Sequence, residues 1–291
     1  MLICTHNRPA SLGRALTALL PQVKAGGHEL IVVNDGTPSA AYDAVLAPCG
    51  GAVDYLVLPT NGGIAAARNH AAARATGDYL VFTDDDTVAP PFWLNWLMGR
   101  LAENPALDAV AGWTRALAPD TANAVGKVQI ATGLLPAPHP TADAEWVFVT
   151  ACLAVRRSLF DSLGGFRLAP QLRLAGEDTE LSVRLWRQGA RILMDDAWFV
   201  EHELGTRLGV ELRRQFRYGQ SAGAFAGALT ATRSSRYFQA LRPRDLPGIV
   251  WRAGRRGRAA GLSFVQAVMA GALRAAFALG VIAGRRHRVR A

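Results

Sequence analysis

Apolar positions in the first hundred residues alternate between two textures. Four short unbroken runs have the length and composition of buried strands: Leu2–Cys4, Glu29-Leu-Ile-Val-Val33, Val53–Leu58 and Asp78-Tyr-Leu-Val-Phe82. Between them lie helical patterns. Ala10–Val23 puts Leu12, Ala15, Leu16, Leu19 and Leu20 on one face. Ile64–Ala75 is an alanine-rich helix after an Asn-Gly-Gly turn. Pro90–Glu103 opens on Pro-Pro and predicts a helix carrying Trp93, Leu94 and Leu97. Strand and helix alternating through short connections predict a parallel α/β sheet with helices on both faces. Such folds bind ligands beyond the carboxyl ends of their strands.

The second half is less regular. Residues 117–144, rich in Pro, Ala and Thr, predict a long loop, and Glu145–Val155 a strand ending at Arg156-Arg157. Gly164-Gly165 stops a short helix. Thr179–Gln188 predicts an amphipathic helix, Arg191–Met194 a strand, and Arg207 to about Leu229 a helix whose glycines weaken its propensity.

Composition narrows the classes. Of 291 residues, 50% are hydrophobic and 19% charged, which excludes global disorder. Three cysteines, at 4, 49 and 152, have an odd count and no metal-site spacing, which argues against a disulfide scaffold or a zinc site and for a reducing compartment. Pro9 and Arg14 interrupt any apolar signal-peptide core. The net charge of +9 is unevenly placed. Residues 233–291 hold thirteen Arg and one acid, Asp245, a net of +12, leaving −3 for the first 232. A mildly acidic body with a basic tail points to a surface-seeking appendage rather than a nucleic-acid-binding body.

Two early strands end in acids: Asn34-Asp35-Gly36 and Thr83-Asp84-Asp85-Asp86-Thr87. Three adjacent carboxylates repel one another, and a fold tolerates them in open solvent or beside a cation. In an extended segment Asp84 and Asp86 face one side while Asp85 points away. Hard divalent cations such as Mg²⁺ or Mn²⁺ favour such oxygen ligands. The plain alternative is a solvated acidic turn. Arg68, in the helix after Asn61-Gly62-Gly63, has the chemistry to pair with phosphate. Gly176-Glu177-Asp178-Thr179-Glu180 opens a helix, so Asp178 is either an N-cap or a general base. His202, between Glu201 and Glu203, has the chemistry of a metal ligand or of an ordinary structural residue.

Taken in order, these stretches resemble the family 2 glycosyltransferases of the GT-A fold. The matching segments are Ile3-Cys-Thr-His-Asn-Arg-Pro9, Ile31-Val-Val-Asn-Asp-Gly-Thr37, Asn61-Gly-Gly63 with Ala67-Arg-Asn69, and Gly77-Asp-Tyr-Leu-Val-Phe-Thr-Asp-Asp-Asp86. Gly164-Gly-Phe166, Gly176-Glu-Asp178 and the His202 segment follow. The resemblance implies a Rossmann-type mixed sheet flanked by helices, with a basic helical C-terminal extension. It implies a nucleotide-sugar-binding half (1–115), an acceptor-binding half (116–232) and a basic amphipathic tail (233–291). Thr5, Asn7 and Arg8 would line the nucleotide pocket and Asp35 would bond the base. Asn61, Gly63 and Arg68 would lie near the diphosphate, Asp84 would face the ribose, and Asp85 would belong to the same donor-binding set. Asp86, with His202, would hold Mg²⁺ or Mn²⁺, and Asp178 would deprotonate the acceptor hydroxyl.

The chain departs from that pattern in three places. Asn34 stands where family members often have Asp. Cys152 stands where many carry Asn, which bears on the sugar contacts. Met1 falls inside the first strand, so a natural start upstream of it is expected, and the intact mass from the native host would test this. The implied partners are a nucleotide-diphosphate sugar and a saccharide or lipid-linked acceptor, with no nucleic acid. The alternatives weighed against this reading are a nucleotidyltransferase and a non-catalytic membrane adaptor of the same fold.

The tail adds a membrane expectation. Residues 262–284 are long enough to span a bilayer, but Arg274 near the centre makes a span costly. Arg252, Arg255, Arg256 and Arg258 precede the run; Arg285, Arg286, Arg288 and Arg290 follow it. This fits a helix lying on an anionic membrane surface, with contact through 246–291 and a cytoplasmic enzyme peripheral on the inner face of the cell membrane. The plain alternative is a helix packed on the body with a solvated Arg fringe.

Overall fold

Strand alternation sets the layers. In a computed structural model that describes residues 1–135, 139–140, 146–169, 175–225 and 240–287, β1 is Leu2–Thr5, α1 Pro9–Gly26, β2 Ile31–Asp35 and α2 Asp43–Leu46. Then come β3 Asp54–Leu58, α3 Ile64–Arg74, β4 Tyr79–Asp84, β5 Thr87–Val88, α4 Trp93–Glu103 and β6 Ala109–Ala116. Further on lie α5 Ala124–Thr132, β7 Leu153–Arg156, α6 Arg157–Ser162, α7 Glu177–Arg187 and β8 Ile192–His202. The chain ends its described part with α8 Leu208–Phe225, α9 Leu246–Ala259 and α10 Phe264–Gly284.

Two compact units result. The first comprises Met1–Arg115, Val147–Ala169 and Glu177–His202. It holds an eight-stranded mixed sheet in the order β3-β2-β1-β4-β7-β6-β8-β5. The pairs among β1, β2, β3 and β4 are parallel, while β7 runs antiparallel to both β4 and β6. Successive strand residues feed opposite cores. Ile3, Val32 and Val81 pack with Leu12, Leu16, Leu19, Trp93 and Leu97 of α1 and α4. Leu2, Cys4, Ile31, Val33, Leu80 and Phe82 pack with the alanines of α3 and with Phe160, Phe166, Leu181 and Leu185. Burial on both faces is why these strands read as unbroken apolar runs.

The pattern missed β6, whose Ala-Val-Ala-Gly run lacks strand-forming bulk. Gly112 is there because a side chain would overlap the Trp198 carbonyl and the Cys152 sulfur. The predicted Arg191–Met194 strand is the start of the eleven-residue β8, whose apolar pattern Asp195 and Asp196 interrupt.

The second unit comprises Ala116–Trp146, Pro170–Gly176 and Glu203–Ala291. Part of the predicted 117–144 loop is the helix α5, capped by Asn123, whose side chain accepts from the N–H groups of Val125 and Gly126. Of that loop, 136–138 and 141–144 lie outside the described residues, as do 226–229 of the helix predicted to follow Arg207. The 262–284 segment is not a free-lying helix. As α10 it buries Ala270, Leu273, Ala278 and Val281, and Arg274 donates to the Thr132 carbonyl at 2.6 Å. It meets α8 backbone to backbone, because added side chains at Gly219, Gly223, Gly280 or Gly284 would overlap the opposing carbonyls. Arg288 and Arg290 of the basic flank lie outside the described residues.

Candidate active site

Parallel register brings the acidic strand ends to one edge of the sheet. Thr5 lies opposite Asn34, and Cys4 opposite Asp84, so the carboxyl ends of β1, β2 and β4 present Thr5, Asp35 and Asp84 together. β5 then pairs antiparallel with the end of β8, placing His202 opposite Thr87. That pairing sets His202 Nε2 3.4 Å from Asp86 Oδ1. Asp84, Asp86 and His202 each offer one ligand atom, all within 4.8 Å of one another. Two carboxylates and an imidazole are a donor set that suits Mn²⁺, and Mg²⁺ when water and phosphate oxygens complete its shell. The residues present therefore fit a divalent ion.

Asp85 does not point away, as strict alternation predicts. The strand ends at Asp84 and the chain turns, so Asp85 is buried, accepting from Thr5 Oγ1 at 2.6 Å and Arg8 Nη1 at 3.1 Å. Burial pushes its carboxyl up to about 7, against the pull of Arg8. The same Arg8 nitrogen lies 2.6 Å from Asp86 Oδ2, with 44% of the Arg8 side chain exposed. Asn7 precedes it with φ 56°, and its N–H donates to Thr37 Oγ1 at 2.8 Å.

Arg68 is the fixed cation of the site. Its guanidinium is buried, 2.6 Å from Asp84 Oδ1 and 2.7 Å from Glu177 Oε1, and 5.7 Å from the centre of the Phe166 ring. Asn69 holds that ring's backbone, bonding both the N–H and the carbonyl of Phe166 at 2.8 Å. Removing one partner of a buried pair leaves an uncompensated charge. Arg68→Met is therefore expected to lower stability by about 3–5 kcal/mol, read from urea unfolding.

Asp35 ties the second strand end to the Asn61–Gly63 turn. Its two carboxylate oxygens accept from Gly62 N–H at 2.7 Å and Gly63 N–H at 3.0 Å, while Asn61 itself is exposed. Gly36, at φ 76°, permits this approach, since a side chain there would strike the Thr60–Asn61 backbone. The His6 ring adds a further tie, Nδ1 to Asp35 O at 2.7 Å, which the sequence reading did not single out.

Asp178 sits in the first turn of α7, with most of its surface buried, accepting from Thr179 N–H at 2.6 Å. Burial, with the Glu177 charge beside it, pushes its carboxyl up to about 7. Arg184 braces that helix. Glu180 grips it with both oxygens at 2.7 Å, and it donates to the Leu163 and Gly165 carbonyls. Glu177, recognised only as part of an acidic cluster, is thus the buried anchor of Arg68. Its direct adjacency to Asp178 was the available signal.

A family model described as Glycosyl transferase family 2 matches residues 1–164. The chain belongs to glycosyl transferase family 2. It is 30% identical over 234 residues to a pre-mycofactocin glycosyltransferase of Mycobacterium tuberculosis, covering 78% of this chain and 47% of that protein. It is 30% identical over 229 residues to the succinoglycan biosynthesis protein ExoM of Rhizobium meliloti, covering 76% and 72%. The chain thus spans about half the length of the first of these relatives. The fold is similar to that of the mannosyltransferase PcManGT from Pyrobaculum calidifontis, solved with GDP-Man and Mn²⁺, with a TM-score of 0.64 at 19% identity over 94% of this chain and 84% of that one.

Two departures of this family 2 chain have structural accounts. Asn34 donates to the Thr37 carbonyl at 2.8 Å and the Tyr55 hydroxyl at 2.7 Å, and accepts from Thr37 N–H. A carboxylate could make neither donation. Cys152 is fully buried, its sulfur 3.8 Å from the Trp198 carbonyl, so it is a core residue.

Proposed function

We propose that this chain is an inverting, metal-dependent glycosyltransferase, moving a sugar from a nucleotide-diphosphate sugar to an acceptor hydroxyl. The observation that carries the reading is the convergence of Asp84, Asp86, His202 and Arg68 on one sheet edge, with Asp178 linked to it through Glu177. Thr5, Asn7, Arg8, Asp35, Asn61 and Gly63 line the nucleotide side, with Asp84 toward the ribose and Asp85 fixing Thr5 and Arg8. Asp86 and His202 hold Mg²⁺ or Mn²⁺, which when bound offsets the charge of the departing diphosphate. Arg68 supplies a second positive charge there. Asp178 takes the proton of the acceptor hydroxyl as its oxygen attacks the anomeric carbon, and the bond to the diphosphate breaks on the opposite side.

The acceptor in this reading is a saccharide or lipid-linked saccharide of cell-envelope polysaccharide or glycolipid synthesis; the name of ExoM, a succinoglycan biosynthesis protein, supports the polysaccharide part. Contact of 246–291 with the cytoplasmic face of the membrane would bring the enzyme to it. NMR of the product tests the inversion. Opposite anomeric configuration in donor and product is expected, and retained configuration overturns the mechanism.

Arg8 carries a separate expectation. Its single positive charge already lies between Asp85 and Asp86, so a divalent ion at Asp86 must bind beside that charge. Arg8→Ala is expected to bind Mn²⁺ alone about fivefold more tightly, by loss of a half-exposed ion pair worth about 1 kcal/mol. Free Mn²⁺ counted by EPR checks this.

A further inference from the structure

The outward side of α10 is an apolar stripe that nothing in the second unit covers among the described residues. Phe264, Val265, Val268 and Leu279 are 75, 62, 55 and 44% exposed. Ala272 and Ala275 continue the line, half-buried, between them. Positions 264, 268, 272, 275 and 279 recur at helical spacing, so the stripe runs roughly 22 Å along the axis. The two polar side chains of this helix are turned away from it. Gln266 pairs with Ser263 in a capping box, and Arg274 is bonded to the Thr132 carbonyl. The opposite side is committed to the unit's own core through Leu273 and Val281.

The neighbouring helix supplies the border. α9 lies against α10 through Val250, Gly254 and Gly257, which approach Gly271, Ala267 and Ala270. Trp251, Arg255 and Arg258 recur at i, i+4 and i+7, on a side of α9 that those contacts leave free. Trp251 is 60% exposed, and the Arg255 guanidinium lies 4.8 Å from its ring centre. Arg252 and Arg256 are exposed as well, and Leu246–Gly284 contains no acidic residue.

We propose that this face docks on an anionic phospholipid bilayer, with α10 in the plane of the surface and the α9 arginines on the headgroup phosphates. This rests on the membrane contact proposed above and not on the transfer chemistry. Charge decides the occupant. A second copy of the same face would set arginines against arginines, whereas anionic headgroups satisfy them while the acyl boundary takes the stripe and the Trp ring. A transmembrane placement is excluded by the packed inner side of α10 and by the Arg274–Thr132 bond.

The test is flotation of the full chain with phosphatidylcholine vesicles, with and without phosphatidylglycerol. The wild type is expected to float at least about tenfold more with the anionic vesicles and to be released by added salt. A Phe264→Glu/Val268→Glu variant alters exposed positions, so its thermal melt should match the wild type, while flotation falls about tenfold or more. Arg252→Gln/Arg255→Gln/Arg256→Gln should lose the anionic preference. Equal flotation of all three proteins overturns the proposal. So does a wild-type dimer in sedimentation that the Glu variant dissociates, without vesicle binding, because the second copy is then the occupant. Mn²⁺ and nucleotide-sugar binding, measured on the same variants, should be unchanged, which separates failure here from failure of the transferase reading.

Discussion

Asp178→Asn is expected to lower kcat by roughly 10²–10⁴-fold, the range for loss of a general base, with nucleotide-sugar affinity close to that of the wild type. The substitution keeps the shape of the side chain and its place in the first turn of α7. It removes the one function assigned to it, acceptance of the acceptor proton. The pH profile follows from the environment. Burial and the Glu177 charge hold this carboxyl up at about 7, and only the deprotonated form accepts a proton. Wild-type kcat/KM should therefore rise with pH through about 7 and level above it. Stability moves in the opposite sense. The folded value lies above the unfolded one of about 3.9, so the protonated form is favoured by folding. Its contribution is complete below the unfolded value and is lost as pH rises through about 7. Asp178→Asn should accordingly melt higher than the wild type at alkaline pH, with the difference vanishing in acid. A variant with full activity would remove Asp178 from the mechanism.

Asp86→Asn is expected to weaken Mn²⁺-dependent donor binding by roughly 100-fold or more, since changes even to groups supporting metal ligands typically cost 10–100-fold. Asp86 is the carboxylate that His202 and Arg8 share, at 3.4 and 2.6 Å. Asp85→Asn is the informative contrast. Its partners are Thr5 and Arg8, so it should disturb the nucleotide side and leave binding of Mn²⁺ alone far less affected. Calorimetric titration of the two variants, with Mn²⁺ and then with donor, separates these roles. Equal loss of metal affinity in both would mean that the acidic turn acts as one unit.

The strands β1, β2 and β4 were legible because both of their faces are buried, which writes itself as continuous apolar runs ending at Thr5, Asp35 and Asp84. β6 was not, because its small residues answer to a neighbour: Gly112 makes room for the Trp198 carbonyl and Cys152, which no local pattern encodes. Within the candidate site, residue types and order singled out the acids, Arg68 and His202. Their pairings were hidden. That Asp85 turns back onto Thr5 depends on the chain bending after Asp84. That Glu177 anchors Arg68 depends on an approach between segments 109 residues apart. The tail was half legible. Its composition announced an apolar helix with basic flanks, but which side stays exposed was settled by the glycines of α8 and α10.

The most direct measurement is a thermal-shift titration of the full chain with UDP-, dTDP- and GDP-sugars, each with Mn²⁺ and again with EDTA. A ligand at 100 times its Kd stabilises by about 2.7 kcal/mol. The account predicts a clear upward shift with one nucleotide class, abolished by EDTA and absent in Asp86→Asn. No shift with any donor, or a shift that survives both EDTA and the substitution, would contradict it.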